Sequence, residues 1–205
     1  SSENNALITN LVAGTRYHLL LGNQGSSTTP PTAPFIVSFT FAPNPANDAC
    51  GDAREISAFP FFDAPYAPVA TADLDVACNA PANTTTRFGV WYRLTTSVDS
   101  GRLVLNESTT NDVVFALFDG AACDALGSQT CAGEAAAAAG VRLAAGASYR
   151  LLVGLNSATA LPTLPYLLSF NFSPYVGPCC TSEGCIVVSA SACASQNGVF
   201  RGADT

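Results

Sequence analysis

The sequence predicts an all-β protein built as an antiparallel β-sandwich. Three features support this: short segments in which apolar and polar residues alternate, turns rich in Gly, Pro and Asn between them, and a pair of strand-like blocks that occurs twice. Alternation with a period of two is the pattern of a strand that buries one face, and many short strands are typical of sandwiches. Among 205 residues, 48% are hydrophobic and 11% charged, which is the composition of a folded domain rather than of a disordered chain.

Charge and hydropathy exclude several classes of partner. The net charge of −7 argues against nucleic acid and anionic membrane surfaces, since both attract basic proteins. No apolar run approaches the roughly 20 residues that a membrane-spanning helix requires. The chain contains no Met, so we expect a processed N-terminus or a segment of a longer polypeptide.

The strongest internal signal is a repeat with a period of about 130 residues. Leu11–Gly22 matches Leu143–Gly154, Pro34–Pro43 matches Pro165–Pro174, and 12 of these 22 positions are identical. Within each copy, the two blocks predict a strand, a loop rich in Ser, Thr and Pro, and a second strand. A period of this length is that of a whole domain, not of a solenoid unit.

Alternation assigns the apolar side chains of each block to one face. The first copy contributes Tyr17, Leu19 and Leu21, followed by Phe35, Val37, Phe39 and Phe41. The second copy contributes Tyr149, Leu151 and Val153, followed by Tyr166, Leu168, Phe170 and Phe172. Further strands are predicted at Arg87–Thr96, Arg102–Asn106 and Asp112–Phe118. The run Ala135–Ala139 lacks length and amphipathicity, so we interpret it as a loop that enters a strand.

This layout predicts three parts: 1–43 as the last strands of a preceding repeat, 44–174 as a complete sandwich, and 175–205 as a Cys-rich tail. By analogy with the second copy, the partners of the first strands would lie before Ser1. Without partners, these strands would expose one apolar face, formed by Leu19, Leu21, Phe35, Val37, Phe39 and Phe41. A tandem array, an extra layer on the same sandwich and strand addition to a neighbouring chain stay open. We favour contact with another chain or repeat, because a two-stranded hairpin is marginal by itself.

Several ordered motifs resemble the bacterial pre-peptidase C-terminal domain. They are Asn47-Asp-Ala-Cys-Gly-Asp-Ala, Val90-Trp-Tyr-Arg-Leu-Thr, Asp112-Val-Val-Phe-Ala-Leu-Phe-Asp-Gly, the cysteines at 123 and 131, and Leu143–Gly154. The resemblance implies a jelly-roll-like β-sandwich that is secreted, is appended to enzymes or surface proteins, and is not itself catalytic. Family members often carry Asn-Asp-Asp after the second loop cysteine, whereas this chain has Ala132-Gly133-Glu134, which weakens any calcium role based on that run. The tail resembles short Cys-rich segments of large bacterial secreted proteins.

The eight cysteines predict disulfides rather than a metal site. They are Cys50, Cys78, Cys123, Cys131, Cys179, Cys180, Cys185 and Cys193. There is one His and no CxxC spacing of the kind that zinc sites favour, so we expect an oxidising compartment outside the cytoplasm. We expect Cys50–Cys78 and Cys123–Cys131 bonds, because each pair flanks one segment of the sandwich. In the tail, one of the adjacent cysteines 179 and 180 should meet Cys185 and the other Cys193.

Candidate catalytic groups are few. The single histidine, His18, corresponds to Arg150 in the second copy, so we interpret it as a solvated strand residue rather than as a general base. Five acidic residues, namely Asp73, Asp75, Asp112, Asp119 and Asp124, occur at predicted strand ends and turns, where Asp is favoured for local hydrogen bonds. Calcium binding is the alternative for them, and no other cofactor is expected. No phosphate-binding glycine motif occurs.

Two features leave room for sugars. Phe88, Trp91 and Tyr92 form either part of the core or a platform on which a sugar stacks. Sequons occur at Asn83, Asn106 and Asn171, and the loop Ser26–Thr32 is a candidate for O-glycans.

The sequence therefore predicts a non-catalytic extracellular structural or adhesive module that associates with itself as a filament or cell-surface subunit. The alternative is a carbohydrate-binding or accessory domain of a secreted hydrolase.

Overall fold

Two units, Ser1–Ala42 and Pro43–Thr205, make up the chain in the computed structural model. The structure describes residues 11, 14–19, 43–66, 70, 86–107, 113–127, 129–156 and 165–202. Of the first unit, residues 14–19 form a turn followed by irregular, exposed backbone, so the predicted strand is not seen in this part. The other predicted residues of this block and the next, Leu21, Phe35, Val37, Phe39 and Phe41, lie outside the described residues.

The second unit is almost entirely strand. In chain order its strands are β1 (Arg54–Glu55), β2 (Phe61–Asp63), β3 (Thr86–Thr95), β4 (Gly101–Glu107), β5 (Val113–Asp119), β6 (Gln129–Gly133), β7 (Val141–Leu143), β8 (Ser148–Asn156), β9 (Leu168–Pro174), β10 (Gly177–Thr181), β11 (Gly184–Val188) and β12 (Val199–Phe200). Two short helices, α1 (Glu134–Ala139) and α2 (Ala190–Ser195), and a 3-10 turn at Cys50–Asp52 complete the described elements.

The strands form three sheets. The first has the order β1-β3-β8-β5-β6, the second β2-β9-β4-β7, and the third, in the tail, β11-β10-β12. Apart from the parallel contact of β1 with β3, the pairings are antiparallel. This confirms the all-β class with a disulfide-rich tail.

The main core lies between the first two sheets. Tyr92 and Tyr166 are fully buried in it together with apolar side chains of both sheets, among them Leu103, Leu105, Phe115, Leu151, Val153 and Phe170. Burying each of these side chains contributes on the order of 1.5–3 kcal/mol, so this layer supplies most of the stability. The alternation predicted for the second copy is confirmed, because Tyr149, Leu151 and Val153 share the buried face of β8.

A second cluster covers the opposite face of the first sheet. Trp91 and Phe118, whose ring centroids are 5.8 Å apart, pack there with Ala53, Ala116 and Leu152. Cys50 and Leu126, from the loops on either side, pack against this cluster. Both faces of β3 and β5 are therefore buried, which explains why β5 has apolar residues at successive positions.

The loops that cover Trp91 are joined by the Cys50–Cys123 disulfide, whose Cα atoms are 5.9 Å apart. Asn47 anchors the same segment: its side chain donates to the carbonyl of Trp91 at 2.9 Å, and Trp91 N donates to Asn47 O at 2.8 Å. Arg150 reaches both loops, donating to the carbonyls of Ala121 and Cys50. We call residues 47–53 and 121–127, with this disulfide, the cap.

The predicted pairs Cys50–Cys78 and Cys123–Cys131 are therefore wrong. Pairing by nearness along the chain ignored that the segment around Cys50 folds across the outer face of the first sheet, beside the loop that follows β5. Cys131 is also disulfide-bonded, and Cys78 lies outside the described residues. In the tail, Cys179 bonds to Cys193 and Cys180 to Cys185, so the prediction that the two adjacent cysteines have different partners is confirmed.

The interpretation of Ala135–Ala139 as a loop is also wrong, because Glu134–Ala139 forms α1. Alanine has the highest helix propensity, and Ala137 is buried in the main core, so packing stabilises a helix that is too short by itself. The helix ends at Gly140, whose φ of +91° is readily adopted by glycine.

The tail is docked on the sandwich through α2. Asp99, a buried residue between β3 and β4, accepts hydrogen bonds from the backbone N–H and the hydroxyl of Ser191. Ser189 caps the same helix by accepting from Ala192 N. A carboxylate at the first turn of a helix is favourable, so Asp99 fixes how α2, and with it the tail, lies on the sandwich.

Candidate functional site

Three of the six predicted catalytic candidates lie in the described part of the chain. His18 is exposed in the first unit, Asp119 ends β5, and Asp124 lies in the following loop. Asp73, Asp75 and Asp112 fall outside the described residues. Within the described ranges, no group of three His, Cys, Asp or Glu side chains is arranged to hold a metal ion.

The densest polar cluster surrounds Asp63 at the end of β2. Asp63 accepts the Tyr92 hydroxyl at 2.8 Å on one oxygen, and Arg54 Nη1 and Ala64 N on the other. Burial, followed by the charge of Asp63 and the hydrogen bond to it, raises the pKa of Tyr92 well above its ordinary value. Each carboxylate oxygen already accepts a protein donor, so this cluster joins β2 to the first sheet rather than presenting a reactive group.

Trp91 and Tyr92 do not form the aromatic platform predicted as an alternative for sugar binding, and the side chain of Phe88 lies outside the described part of the structure. Trp91 and Tyr92 are both fully buried, on opposite faces of β3. Their burial confirms the interpretation as core and overturns the platform.

Two of the three sequons can be located. Asn106 is exposed on β4 and Asn171 is half-buried on β9, and both lie on the face of the second sheet that points away from the core. Asn106 pairs across the strands with Ser169, and Asn171 with Val104. Asn83 lies outside the described residues.

The surface that stands out is the sheet of the tail. Strand β11 forms its edge and consists of Gly, Cys, Ile, Val and Val, without a charge. Val187 is 67% exposed and Ile186 is 47% exposed. Natural proteins usually protect edge strands with Lys, Pro or bulges, and β11 has none of these.

The face of this sheet opposite α2 is also apolar. Cross-strand pairing places the Cys180–Cys185 disulfide and Val199 on the same face, because Cys180 is opposite both Cys185 and Val199. Alternation adds Val187 to that face. Val199 is exposed as well, so the edge and one face form a continuous apolar surface, which we call the tail surface (Cys185, Val187, Val199 and Ile186).

The register between β10 and β11 determines which backbone N–H groups of β11 point away from β10. The Cα atoms of Cys180 and Cys185 are 4.0 Å apart, the short spacing of a non-hydrogen-bonded pair. Pro178, which has no N–H, is opposite Val187 in the same kind of pair. The N–H groups of Cys185 and Val187 therefore point away from β10, toward the open edge.

Sequence reasoning missed this surface because it treated the tail only as a disulfide framework. The signal was the uncharged, β-branched run at Ile186–Val188, which alone predicts a strand but not that the strand is an edge.

No family model matches the chain, and no curated protein or solved structure matches it either.

None of the described helices is both long and apolar enough to span a bilayer. The disulfides Cys50–Cys123, Cys179–Cys193 and Cys180–Cys185 indicate an oxidising environment.

Proposed function

We propose that this chain is a non-catalytic structural or adhesive module of an extracellular assembly, related to pre-peptidase C-terminal domains, in which copies are joined by strand addition. The observation that carries the proposal is the exposed, uncharged strand β11, which pairs with β10 alone among the described strands. An edge strand offers its unpaired N–H and C=O groups to another chain, and apolar side chains beside it add burial. The proposal includes secretion because the disulfides indicate an oxidising environment.

The partner that fits this edge best is a second copy of β11. Antiparallel pairing about Ile186 is self-complementary: Cys185 of one copy lies opposite Val187 of the other, and their outward amides and carbonyls meet. The nearest acid, Glu183, then lies opposite Ser189 and not opposite its own counterpart. The contact therefore places no acidic side chain of β11 or its flanks directly opposite another, which limits the repulsion between two chains that each carry a net charge of −7.

The edge is also preorganised. The Cys180–Cys185 bond ties β11 to β10, and Cys179–Cys193 ties β10 to α2. A rigid edge loses little conformational entropy when it accepts a strand. Five residues bury much less area than a standard interface of roughly 1,600 Å², so we expect the contact to be effective where copies are concentrated, as in a filament or on a surface.

A symmetric contact by itself stops at two copies, so a filament needs a second contact. The sequence predicts that contact in residues 1–43.

The alternative role is a carbohydrate-binding accessory domain of a secreted hydrolase. It was based on an aromatic platform that included Trp91 and Tyr92, and both of these side chains are buried. Glycosylation of the chain itself stays a prediction for Asn83, Asn106 and Asn171.

The proposal is tested by sedimentation of the full chain over a range of concentrations up to about millimolar. We expect the wild type to associate with rising concentration and Val187→Lys to associate at least about tenfold more weakly, because a charged side chain at an edge opposes pairing. Phe62→Lys is the matched control, since Phe62 is equally exposed at 67% but lies on β2. It should behave as the wild type.

A chain that stays monomeric over the whole range would overturn the proposal. So would Val187→Lys associating as strongly as the wild type, or an equal loss in Phe62→Lys.

A further inference from the structure

Two arginines face each other on the outer face of the second sheet. Arg102 on β4 and Arg142 on β7 are direct cross-strand partners, and both are exposed. Like charges at directly opposite positions destabilise an antiparallel pair. Neither arginine forms a salt bridge with a carboxylate of the described ranges, whereas Arg54 and Arg93 each do. The sheet thus keeps two adjacent positive charges that no described carboxylate pairs with, in a chain of net charge −7.

Tyr175, directly after β9, organises this pair. Arg142 Nε donates to the Tyr175 hydroxyl oxygen at 3.2 Å, and its guanidinium carbon lies 5.4 Å from the centre of the ring. Arg102 is held from the other side, because its Nη1 donates to the carbonyl of Ala139 at 3.2 Å. Desolvation by itself would raise the pKa of Tyr175, but the hydrogen bonds and positive charges of Arg142 and Arg102 outweigh it and lower that pKa. The phenol oxygen therefore lies beside two positive charges.

The immediate surroundings of the pair are mainly polar and open. Ser173 lies opposite Arg102 and Asn171 lies opposite the half-buried Val104, whereas the exposed Phe62 is on the same face farther along β9, opposite Ser169. A protein interface usually has an apolar or aromatic centre, which these short side chains do not supply. Hydroxyl and amide groups instead match a ligand rich in hydroxyl groups. The flat face suits a polymer, since small ligands are usually enclosed in clefts.

We propose that Arg102, Arg142 and Tyr175 bind the anionic group, carboxylate or sulfate, of an acidic polysaccharide. Guanidinium forks bind such groups through paired, charge-assisted hydrogen bonds. The Tyr175 hydroxyl fixes the orientation of Arg142 and can donate to the same anion. The site requires neither β11 nor a second copy, so it goes beyond the structural role proposed above.

The test is calorimetric titration of the full chain, produced without glycans, with three oligosaccharides of equal length: an oligogalacturonate, a sulfated oligosaccharide and a neutral oligogalactoside. We expect binding of one or both acidic ligands, which identifies the anionic group. We expect the double variant R102Q/R142Q to bind it about tenfold more weakly or worse, because charge-assisted hydrogen bonds are lost.

The control is R16Q/R201Q, which removes the same charge from two exposed arginines elsewhere. It should keep wild-type affinity. Thermal unfolding supplies a second readout: R102Q/R142Q should unfold close to the wild-type temperature, because relief of the repulsion offsets the lost contacts with Ala139 and Tyr175. No binding of either acidic ligand, equal binding of the neutral one, equal loss in the control, or tighter binding of a polyglutamate peptide would overturn the proposal.

Discussion

Two buried tyrosines couple the stability of the sandwich to alkaline pH. Burial, and then the charge of Asp63, raises the pKa of Tyr92, while burial and the charge of Glu107 raise that of Tyr166. A phenol whose pKa is higher in the folded than in the unfolded state contributes stability that is fully present below the unfolded value of about 10. That contribution is lost as the pH rises toward the folded value.

We therefore expect the free energy of unfolding to fall as the pH rises above about 10, and Tyr92→Phe to reduce the slope of this fall. Denaturant unfolding at several alkaline pH values measures the slope. Tyr66→Phe, at an exposed position, is the control and should keep the wild-type slope. If the two variants and the wild type all share one slope, Tyr92 does not titrate as the structure implies.

At the scale of residues, the sequence predicted which side chains face the main core better than it predicted which side chains are buried on the opposite face of the first sheet. The alternation in Leu143–Gly154 and Pro165–Pro174 correctly predicted the core-facing side chains of β8 and β9, of which Phe172 is half-buried, but it missed Leu152, which is buried on the other face of β8. It could not decide whether Trp91 or Tyr92 is exposed, because alternation assumes one solvated face. Both are buried, since the cap covers the second face of the sheet, and a cover of this kind depends on contacts far apart in the sequence.

At the scale of elements, the cap depends on one disulfide. Cys50 and Cys123 are 73 positions apart, and closing a loop of that length stabilises the fold by about 4 kcal/mol in the chain-entropy model. The chain has a single tryptophan, and Trp91 lies fully buried beneath this bond. Its fluorescence therefore reports on the space between the cap and the first sheet.

We expect Cys50→Ala combined with Cys123→Ala to shift the Trp91 emission toward the red and to lower the free energy of unfolding by about 3–4 kcal/mol. The matched control removes the Cys180–Cys185 bond of the tail by the same substitutions, and it should leave the emission unchanged. An unshifted emission in the Cys50/Cys123 variant would mean that Asn47 and Arg150 hold the cap without the disulfide.

The errors at this scale have physical causes. The disulfide pairing was wrong because two cysteines close in sequence need not be close in space once a loop crosses a sheet. Helix α1 was missed because its six residues are too few to show a helical period, and its stability comes from the burial of Ala137. The tail pairing was predicted correctly because adjacent cysteines, with side chains on opposite faces of a strand, reach different partners.

At the scale of the whole molecule, two surfaces of the second unit differ in the partners that they could bind. The outer face of the second sheet carries the Arg102–Arg142 pair beside Ser173 and Asn171, whereas the tail surface is apolar and includes the edge strand β11. The sequence predicted association by strand addition but assigned it to residues 1–43. Our proposal adds β11, which the sequence did not indicate, because pairing patterns, and not residue types, determine which strand is an edge.

The most direct test of this account is hydrogen exchange of individual amides in β11 as a function of protein concentration. Strand addition between copies would slow exchange at Cys185 and Val187, whose amides point outward, while Ile186, already paired with β10, should change little. We predict that protection at the two outward amides rises with concentration in the wild type and stays low in Val187→Lys, read there at Cys185. Exchange at these amides that is independent of concentration, while larger species form, would show that copies do not join through β11.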